Sequence, residues 1–327
     1  LVLVFGLRAY GEKRLAYLAA EPKEMLRVGL VQHNMEEVEK IAQRTSGTNA
    51  FDQIVTRLVS KNTELATGAQ PPDFLLWPET AYPLIFPTPS GSSRNWLAEG
   101  YANLIKANVA KLGTPLLFGG YETDGKNDYN AAILLGADGA VRATYRKYAL
   151  LVFGEYMPFG TWFPSLRKMN PQMGDFGVGA GPVPLPFAHG DHDILLGVNI
   201  CYEAILPEFM RAMRVNGARI FVNITKDSWF GDTFEPWQHL QLSALRSVEH
   251  GIPMVRATNT GLSGLVLPNG SFSYISLPFQ EAYAVVDIPV PVNPAITLYT
   301  KLGEWFAWAC FFIAVALGFW AFRRSRL

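Results

Sequence analysis

The sequence predicts an α/β fold in which two mixed β-sheets are flanked by helices. Three observations support this prediction. Short apolar runs alternate along the chain with longer segments that carry helix-start signals. Two of the runs are joined by Asp138-Gly139, a dipeptide typical of the turn between antiparallel strands. The runs number about ten, and a set of that size favours two sheets over one.

The predicted strands are short and apolar, as expected for strands that are buried on one or both faces. They are Arg27–Gln32, Phe74–Pro78, Pro115–Tyr121, Ala131–Leu135, Val141–Tyr145, Ile194–Ile200, Ile220–Ile224, Met254–Ala257, Ser263–Leu267 and Ala284–Ile288. The predicted helices are Phe51–Ala66, Trp96–Leu112, Pro207–Asn216 and Pro236–His250. Ser93 precedes the second helix, and Pro207 and Pro236 suit first-turn positions.

Two segments rich in proline and glycine interrupt this alternation. They are Tyr82–Ser93, with three prolines, and Met157–Pro186, with six prolines and five glycines. Long loops of this kind are either disordered or functional. Both follow a segment with a candidate catalytic residue, so we interpret them as functional. We expect them to cover the active site as a lid that reaches towards a membrane, with Phe159, Trp162 and Phe163 in contact with lipid.

The composition argues against several classes of partner. Lys and Arg number 28 and Asp and Glu number 28, so charge gives no reason to propose a nucleic acid partner. The two cysteines, Cys201 and Cys310, and the five histidines show no metal-ligand spacing, and we expect neither a metal nor another cofactor. A disulfide between the cysteines is the alternative, but Cys310 lies in the middle of an apolar run.

That apolar run, 305–322, contains 18 residues without a charge and is followed by three arginines, Arg323, Arg324 and Arg326. As a helix it measures about 27 Å, close to the roughly 30 Å of a bilayer core. The arginines place the C-terminus in the cytoplasm if the helix spans a membrane. The alternative is a buried core helix. The N-terminal run LVLVFGL is too short to span a bilayer, and we interpret it as the tail of an upstream membrane helix.

Three reactive side chains each follow a predicted buried strand: Glu79, Lys147 and Cys201. Singly, each has an ordinary explanation as a solvated loop carboxylate, a surface cation or a small buried side chain. Together they provide a nucleophilic thiol, a carboxylate that can take its proton, and an ammonium that can lower the thiol pKa and stabilise an oxyanion. Strand ends commonly deliver side chains into one crevice, so we expect the three to converge.

Several segments resemble the nitrilase superfamily: WPET (77–80), YRK (145–147), FGEYMPFG (153–160), GVNICYE (197–203) and DSWFG (227–231). The stretch 238–264 and the apolar C-terminal run are similar to the apolipoprotein N-acyltransferase family within it. The resemblance implies a nitrilase-like α-β-β-α sandwich with a C-terminal transmembrane helix. It divides the chain into a membrane-helix tail and connector (1–24), a catalytic domain (25–297), and a transmembrane helix with a basic tail (298–327).

The resemblance also implies roles for individual residues. Glu79 is expected to be the general base, Lys147 the oxyanion stabiliser and Cys201 the nucleophile. Glu155 resembles the family's additional active-site glutamate, with a loop cap or ion pair as the alternative. Tyr202 and Glu203 follow the cysteine as in the family pattern; the alternative is that they only support the sheet.

The implied reaction moves a fatty acyl group from a phospholipid, through a Cys201 thioester, to the α-amine of the diacylglyceryl-cysteine of an apolipoprotein. The implied location is the bacterial inner membrane, with the catalytic domain on the periplasmic side. The alternatives are a membrane-tethered amide hydrolase and a catalytically silent scaffold. The chain departs from the family pattern at Tyr148-Ala149, where histidine is common, and at Lys226, where asparagine is usual.

Overall fold

The structure, a computed structural model, describes residues 2–35, 48–92, 95–160, 162, 165 and 174–324 of the 327-residue chain. The helices are α1 (Val2–Ala20), α2 (Thr48–Ala66), α3 (Trp96–Leu112), α4 (Pro207–Val215), α5 (Glu235–His250), α6 (Leu298–Leu302) and α7 (Trp305–Arg324). The strands are β1 (Lys23–Gln32), β2 (Phe74–Leu76), β3 (Tyr82–Ile85), β4 (Leu116–Thr123), β5 (Asp128–Leu135), β6 (Val141–Arg146), β7 (Leu185–His189), β8 (His192–Ile200), β9 (Ile220–Thr225), β10 (Met254–Thr258), β11 (Gly264–Val266), β12 (Phe272–Ile275) and β13 (Ala282–Pro291).

The strands form two mixed sheets. One has the order β13-β1-β2-β4-β5-β6, with β3 paired to β4, and the other has the order β12-β11-β10-β9-β8-β7. In each sheet the central strands are parallel, and antiparallel strands extend the sheet outward on both sides. The carboxyl ends of the parallel strands therefore lie at one end of each sheet, where the loops that follow them can bring functional side chains together.

The two sheets pack face to face. Leu30 and Leu76 of the first sheet share one buried cluster with Val198 and Val222 of the second. The other face of the first sheet packs against α2 and α3, as Ile54 and other apolar side chains of a second cluster show. Helices α4 and α5 pack on the second sheet. The prediction of a nitrilase-like α-β-β-α sandwich is confirmed.

All ten predicted strands are present, and the described part of the chain contains three further strands that were not predicted. Strand β3 occupies the first four residues of the segment Tyr82–Ser93, and β7 begins within the last two residues of Met157–Pro186, so these parts of the predicted loops are strand. Each of these two strands carries a proline and has several exposed or half-exposed positions, which weakens the apolar signal. Strand β12 is largely exposed and gives no apolar run.

The four predicted helices agree with the structure to within three residues at each end, and helix α3 has its predicted bounds. Ser93 lies outside the described residues, and the N-cap of α3 is Asn95, whose side chain accepts a hydrogen bond from the Leu97 backbone N–H. Helix α1 continues well beyond the apolar run at its start.

Helix α7 is the only helix in the described part of the chain that is long and apolar enough to cross a membrane. None of its described residues is buried, which contradicts the alternative of a buried core helix. That it spans a membrane stays a prediction, and Arg326 lies outside the described residues.

Candidate active site

Glu79, Lys147 and Cys201 come together at neighbouring strand ends. Glu79 lies three residues beyond β2, Lys147 directly follows β6, and Cys201 directly follows β8 of the facing sheet. Lys147 Nζ lies 3.5 Å from Glu79 Oε1. The charges of both groups act on the Cys201 thiol. Lys147 is 2% exposed and Glu79 6% exposed, so these two charged groups are buried, whereas Cys201 is half-buried.

Cys201 lies at a sharp turn between β8 and a 3-10 helix, Cys201–Ile205. Its φ of +57° falls in the left-handed region, which is uncommon for any residue other than glycine. Such a conformation costs energy and persists only where surrounding contacts impose it. One of these contacts comes from Asn223, whose Nδ2 donates to the Cys201 carbonyl at 3.2 Å.

Glu79 is held by donors from two other elements. Asn130 Nδ2 donates to Oε1 at 2.8 Å, and the Lys226 backbone N–H donates to Oε2 at 2.9 Å. Gly119 on β4 lies directly against this turn: a Cβ there would come within 2.5 Å of the Glu79 Cα. Burial raises the pKa of Glu79 although the charge of Lys147 opposes the increase. A buried carboxylate with a raised pKa is a stronger base than one in water.

Lys147 bridges Glu79 and Glu155. Its Nζ donates to Glu155 Oε1 at 2.9 Å, and Asn130 Nδ2 donates to the same oxygen at 2.8 Å. Burial lowers the pKa of Lys147, but the charges of Glu79, Cys201 and Glu155 outweigh it and raise the pKa overall. Lys147 is therefore charged, as an oxyanion stabiliser must be.

The electrostatics of Cys201 differ from the expectation that the ammonium lowers its pKa. Lys147 does lower the pKa, but burial and the charge of Glu79 outweigh it and raise the pKa of Cys201 to about 12. The resting group is a neutral thiol. The arrangement can therefore activate the thiol by transfer of its proton to Glu79 during attack, rather than through a preformed thiolate.

Glu203 and Tyr202 connect the turn at Cys201 to the segment that follows Lys147. Glu203 is fully buried and accepts hydrogen bonds from the backbone N–H groups of Tyr148, Ala149 and Ile200 at 2.8–2.9 Å. It also accepts from the Tyr145 hydroxyl. Burial raises the pKa of Glu203 to about 7 against the opposing effect of these N–H groups.

Tyr202 makes a simpler contact, since its hydroxyl donates to the Leu150 carbonyl at 2.9 Å. Its ring lies 5.7 Å from Lys147 Nζ. Both side chains that follow the cysteine thus contact the chain around Lys147, and Glu203 does so with more hydrogen bonds.

The sequence-based prediction did not identify three polar residues near the site. Asn130 on β5 bridges the two glutamates, Asn223 on β9 holds the Cys201 carbonyl, and Arg256 on β10 is buried beside Asn223. Each interrupts an apolar strand with a large polar side chain. That interruption is the signal by which they could have been found, because a buried polar side chain needs a partner.

Large apolar side chains are exposed on the segments that follow Lys147 and β9. They are Phe153, Phe159, Trp162, Trp229 and Phe234, and Trp229 is 83% exposed. Phe163 lies outside the described residues. The two departures from the family pattern lie close by. Lys226 contacts Glu79 through its backbone, and the Tyr148 ring stacks on Phe209 with centroids 6.4 Å apart.

Among known proteins, the chain is similar to apolipoprotein N-acyltransferases. It is 35% identical to that of Bdellovibrio bacteriovorus over 84% of this chain and 51% of the relative. It is 34% identical to that of Geobacter metallireducens over 100% of this chain and 59% of the relative. The chain thus spans a little over half the length of these curated relatives.

Solved structures share the fold at low sequence identity. An amidase from Nesterenkonia sp. superposes with a TM-score of 0.58 at 19% identity, covering 81% of this chain and 90% of the amidase. A carbon-nitrogen hydrolase from Helicobacter pylori superposes with a TM-score of 0.54 at 17% identity, covering 81% and 89%. The sequence model of the carbon-nitrogen hydrolase family matches residues 18–291, which include every residue of the site. The chain belongs to the carbon-nitrogen hydrolase family.

Proposed function

We propose that this chain is the catalytic part of an apolipoprotein N-acyltransferase that works through a thioester on Cys201. The observation that carries the proposal is the half-buried thiol of Cys201 together with a buried carboxylate and ammonium, Glu79 and Lys147, which lie 3.5 Å apart. The similarity to curated N-acyltransferases over the whole chain supports the choice of reaction.

In the first half-reaction the acyl donor is a phospholipid. Glu79 takes the thiol proton as the Cys201 sulfur attacks the ester carbonyl, and the ammonium of Lys147 stabilises the oxyanion of the tetrahedral intermediate. When the intermediate collapses, the carbon–oxygen bond of the ester breaks. Glu79 returns the proton to the leaving oxygen, so a lysophospholipid departs and the acyl group stays on sulfur.

In the second half-reaction the acceptor is the α-amine of a diacylglyceryl-modified apolipoprotein. The amine attacks the thioester, Glu79 accepts a proton from the amine, and the carbon–sulfur bond breaks. The departing sulfur recovers that proton, which restores the resting thiol. No metal or other cofactor enters this sequence of steps.

Glu155, Tyr202 and Glu203 have supporting roles in this proposal. Glu155 contacts Lys147 and fixes the direction of its ammonium. Glu203 and Tyr202 hold the loop after Lys147 against the nucleophile turn. Because the oxyanion donors must be in place before the reaction, these contacts affect catalysis without touching the substrate.

We further propose a catalytic domain at 25–297, with membrane-associated segments at 1–24 and 298–327. Helix α7 spans the bacterial inner membrane with the C-terminus in the cytoplasm, and the catalytic domain lies on the periplasmic side. The exposed rings of Phe159, Trp162 and Trp229 contact the bilayer, as amphipathic aromatic side chains do at membrane surfaces. Both lipid substrates then reach the site from the bilayer.

The proposal is tested by comparing transfer with hydrolysis. The purified full chain in phospholipid micelles is given a labelled diacyl phospholipid, with and without a diacylglyceryl-modified peptide. The proposal predicts slow release of free fatty acid without the peptide, and ping-pong transfer of label when the peptide is added. Rapid release of fatty acid at a rate that the peptide does not change would instead identify a membrane-tethered amide or ester hydrolase.

A further inference from the structure

A buried ionic cluster lies beneath the nucleophile turn. Arg256 on β10 is fully buried, as is Asp227, and Arg256 Nη2 donates to Asp227 Oδ2 at 2.8 Å. The same nitrogen lies 3.0 Å from Nδ1 of His239. Burial and the charge of Arg256 lower the pKa of His239, so the histidine is neutral and Arg256 is the cation that faces Asp227. A buried ion pair is costly to form, and its presence here calls for a specific role.

One chain of contacts leads from Arg256 to the backbone of Cys201. Arg256 Nη1 donates to Asn223 Oδ1 at 2.6 Å. An arginine has donors only, so the amide oxygen of Asn223 must face it and the amide NH2 must point the other way. This NH2 donates to Asn199 Oδ1 at 2.8 Å and to the Cys201 carbonyl at 3.2 Å. Arg256 therefore fixes the orientation of the amide that supports the left-handed Cys201.

A second chain of contacts leads from Arg256 to the sulfur. Asp227 Oδ1 accepts a hydrogen bond from the Thr225 hydroxyl at 3.1 Å, and the same hydroxyl lowers the pKa of the Cys201 thiol. A hydroxyl has one hydrogen, so Asp227 and a thiolate at Cys201 compete for it. Because Arg256 satisfies the charge of Asp227, the Thr225 hydrogen can turn to the sulfur when negative charge forms there.

We propose that Arg256 is a positioning residue for acyl-enzyme formation, which holds the Cys201 turn through Asn223 and supports charge on the sulfur through Asp227 and Thr225. This inference rests on the proposed role of Cys201 as the nucleophile. It goes beyond the proposed function because Arg256 touches none of the three reacting side chains in the described contacts. A merely structural ion pair would affect folding without affecting the reactivity of the thiol.

The experiment measures the rate at which iodoacetamide alkylates Cys201 at constant pH in the full chain. A Cys310→Ala background leaves one thiol to report. The variants are Arg256→Met, Arg256→Lys, Asp227→Asn and the double variant Arg256→Met with Asp227→Asn. Alkylation needs no acyl donor, so its result stands whether or not a phospholipid proves to be the substrate.

We expect Arg256→Met to slow alkylation by about tenfold or more, which corresponds to one unit of thiol pKa. An unpaired Asp227 carboxylate opposes the thiolate and keeps the Thr225 hydrogen. Adding Asp227→Asn to Arg256→Met should restore most of the alkylation rate. The alkylation rate of Arg256→Lys should stay within about threefold of that of the parent. With phospholipid, the maximal rate of adduct formation should fall in Arg256→Met while the half-saturating phospholipid concentration is unchanged.

Asp227→Asn alone covers the case in which Arg256→Met does not fold. It removes a negative charge that raises the pKa of Cys201, so it should speed alkylation. The melting temperature is the control, because a general loosening of the fold would lower it, whereas the loss of this charge effect leaves it unchanged. The proposal is overturned if Arg256→Met alkylates at the parent rate, if Asp227→Asn fails to restore the rate in the double variant, or if Asp227→Asn alone slows alkylation.

Discussion

Replacement of Glu79 by glutamine separates the two effects that this carboxylate has on Cys201. The change keeps the shape of the side chain and removes both its negative charge and its capacity to accept a proton. Its neighbours are two donors, the Asn130 amide and the Lys226 backbone N–H, and the cation Lys147. We therefore expect opposite changes in the chemical reactivity of the thiol and in acyl transfer.

The expected magnitudes follow from the contacts. Loss of a positioned general base lowers a rate by roughly 10²- to 10⁴-fold, which is about 3–5 kcal/mol in the barrier. Alkylation by iodoacetamide depends instead on the fraction of thiolate. The charge of Glu79 raises the pKa of Cys201, whereas that of Lys147 lowers it. With the carboxylate removed, the thiol pKa falls and alkylation becomes faster.

The assay measures both rates on one preparation and uses Glu122→Gln as the matched control. Glu122 is also a buried carboxylate, but it binds the Arg146 guanidinium and the Thr88 hydroxyl, away from the thiol. The control should lose stability and keep acyl transfer within a few-fold of the parent. Acyl transfer within tenfold of the parent in Glu79→Gln, or slower alkylation in that variant, would refute the assignment of Glu79 as the base.

Further predictions concern the nucleophile, its supports and pH. Cys201→Ser should lose acyl transfer by a lipid-transfer assay, because a hydroxyl has a far higher pKa than a thiol; near-parental turnover would contradict a thioester. Gly119→Ala should lower the melting temperature and the activity together, because the added Cβ displaces Glu79; the expected loss of folding stability is about 1–3 kcal/mol. The control is Gly100→Ala in helix α3, where the added Cβ enters open space, and this change should be neutral or stabilising. Glu203→Gln should destabilise the fold by about 1.5–3 kcal/mol in denaturant titration, because an amide NH2 then faces donors that a carboxylate accepted; an unchanged midpoint would count against those hydrogen bonds. The rate of Cys201 acylation should fall on acidification through the pKa of Glu79, which burial raises, so the acid limb should lie above pH 4.5; a limb below that value would contradict the burial argument.

The elements that carry the three candidate catalytic residues could be predicted because their signals are local. Glu79, Lys147 and Cys201 each follow an apolar run that is visible in the sequence, and parallel strands bring such ends together. The bounds of strand β8 and helix α3 follow from the same kind of signal. The roles assigned to the three residues stay predictions.

The supporting contacts could not be predicted because they join residues that are distant in sequence. Asn130 and Arg256 lie inside strands, and their partners lie on other strands. An isolated strand shows only that a polar side chain interrupts an apolar run, and it does not show which group will satisfy it. Strand β3 was missed for a related reason: its pairing to β4 outweighs the weak propensity of a proline-containing edge segment.

The raised pKa of Cys201 also depends on which groups the folded chain brings around the thiol. The sequence shows a lysine that can lower the pKa of the thiol, and the prediction followed that pair alone. The fold adds burial and a second charge, Glu79, and these outweigh the lysine. The balance between desolvation and two opposite charges requires the burial of each group, which no sequence pattern supplies.

The most direct test of the central claim is the mass of the protein after incubation with a phospholipid of known acyl chains and no acceptor. We expect an increase equal to one acyl group, mapped by peptide mass to Cys201 and absent in Cys201→Ala. Addition of a diacylglyceryl-modified peptide should remove this mass and add it to the peptide amine. Transfer of the acyl group to the peptide without any adduct on Cys201, or an adduct that the peptide does not discharge, would rule out a thioester intermediate on Cys201.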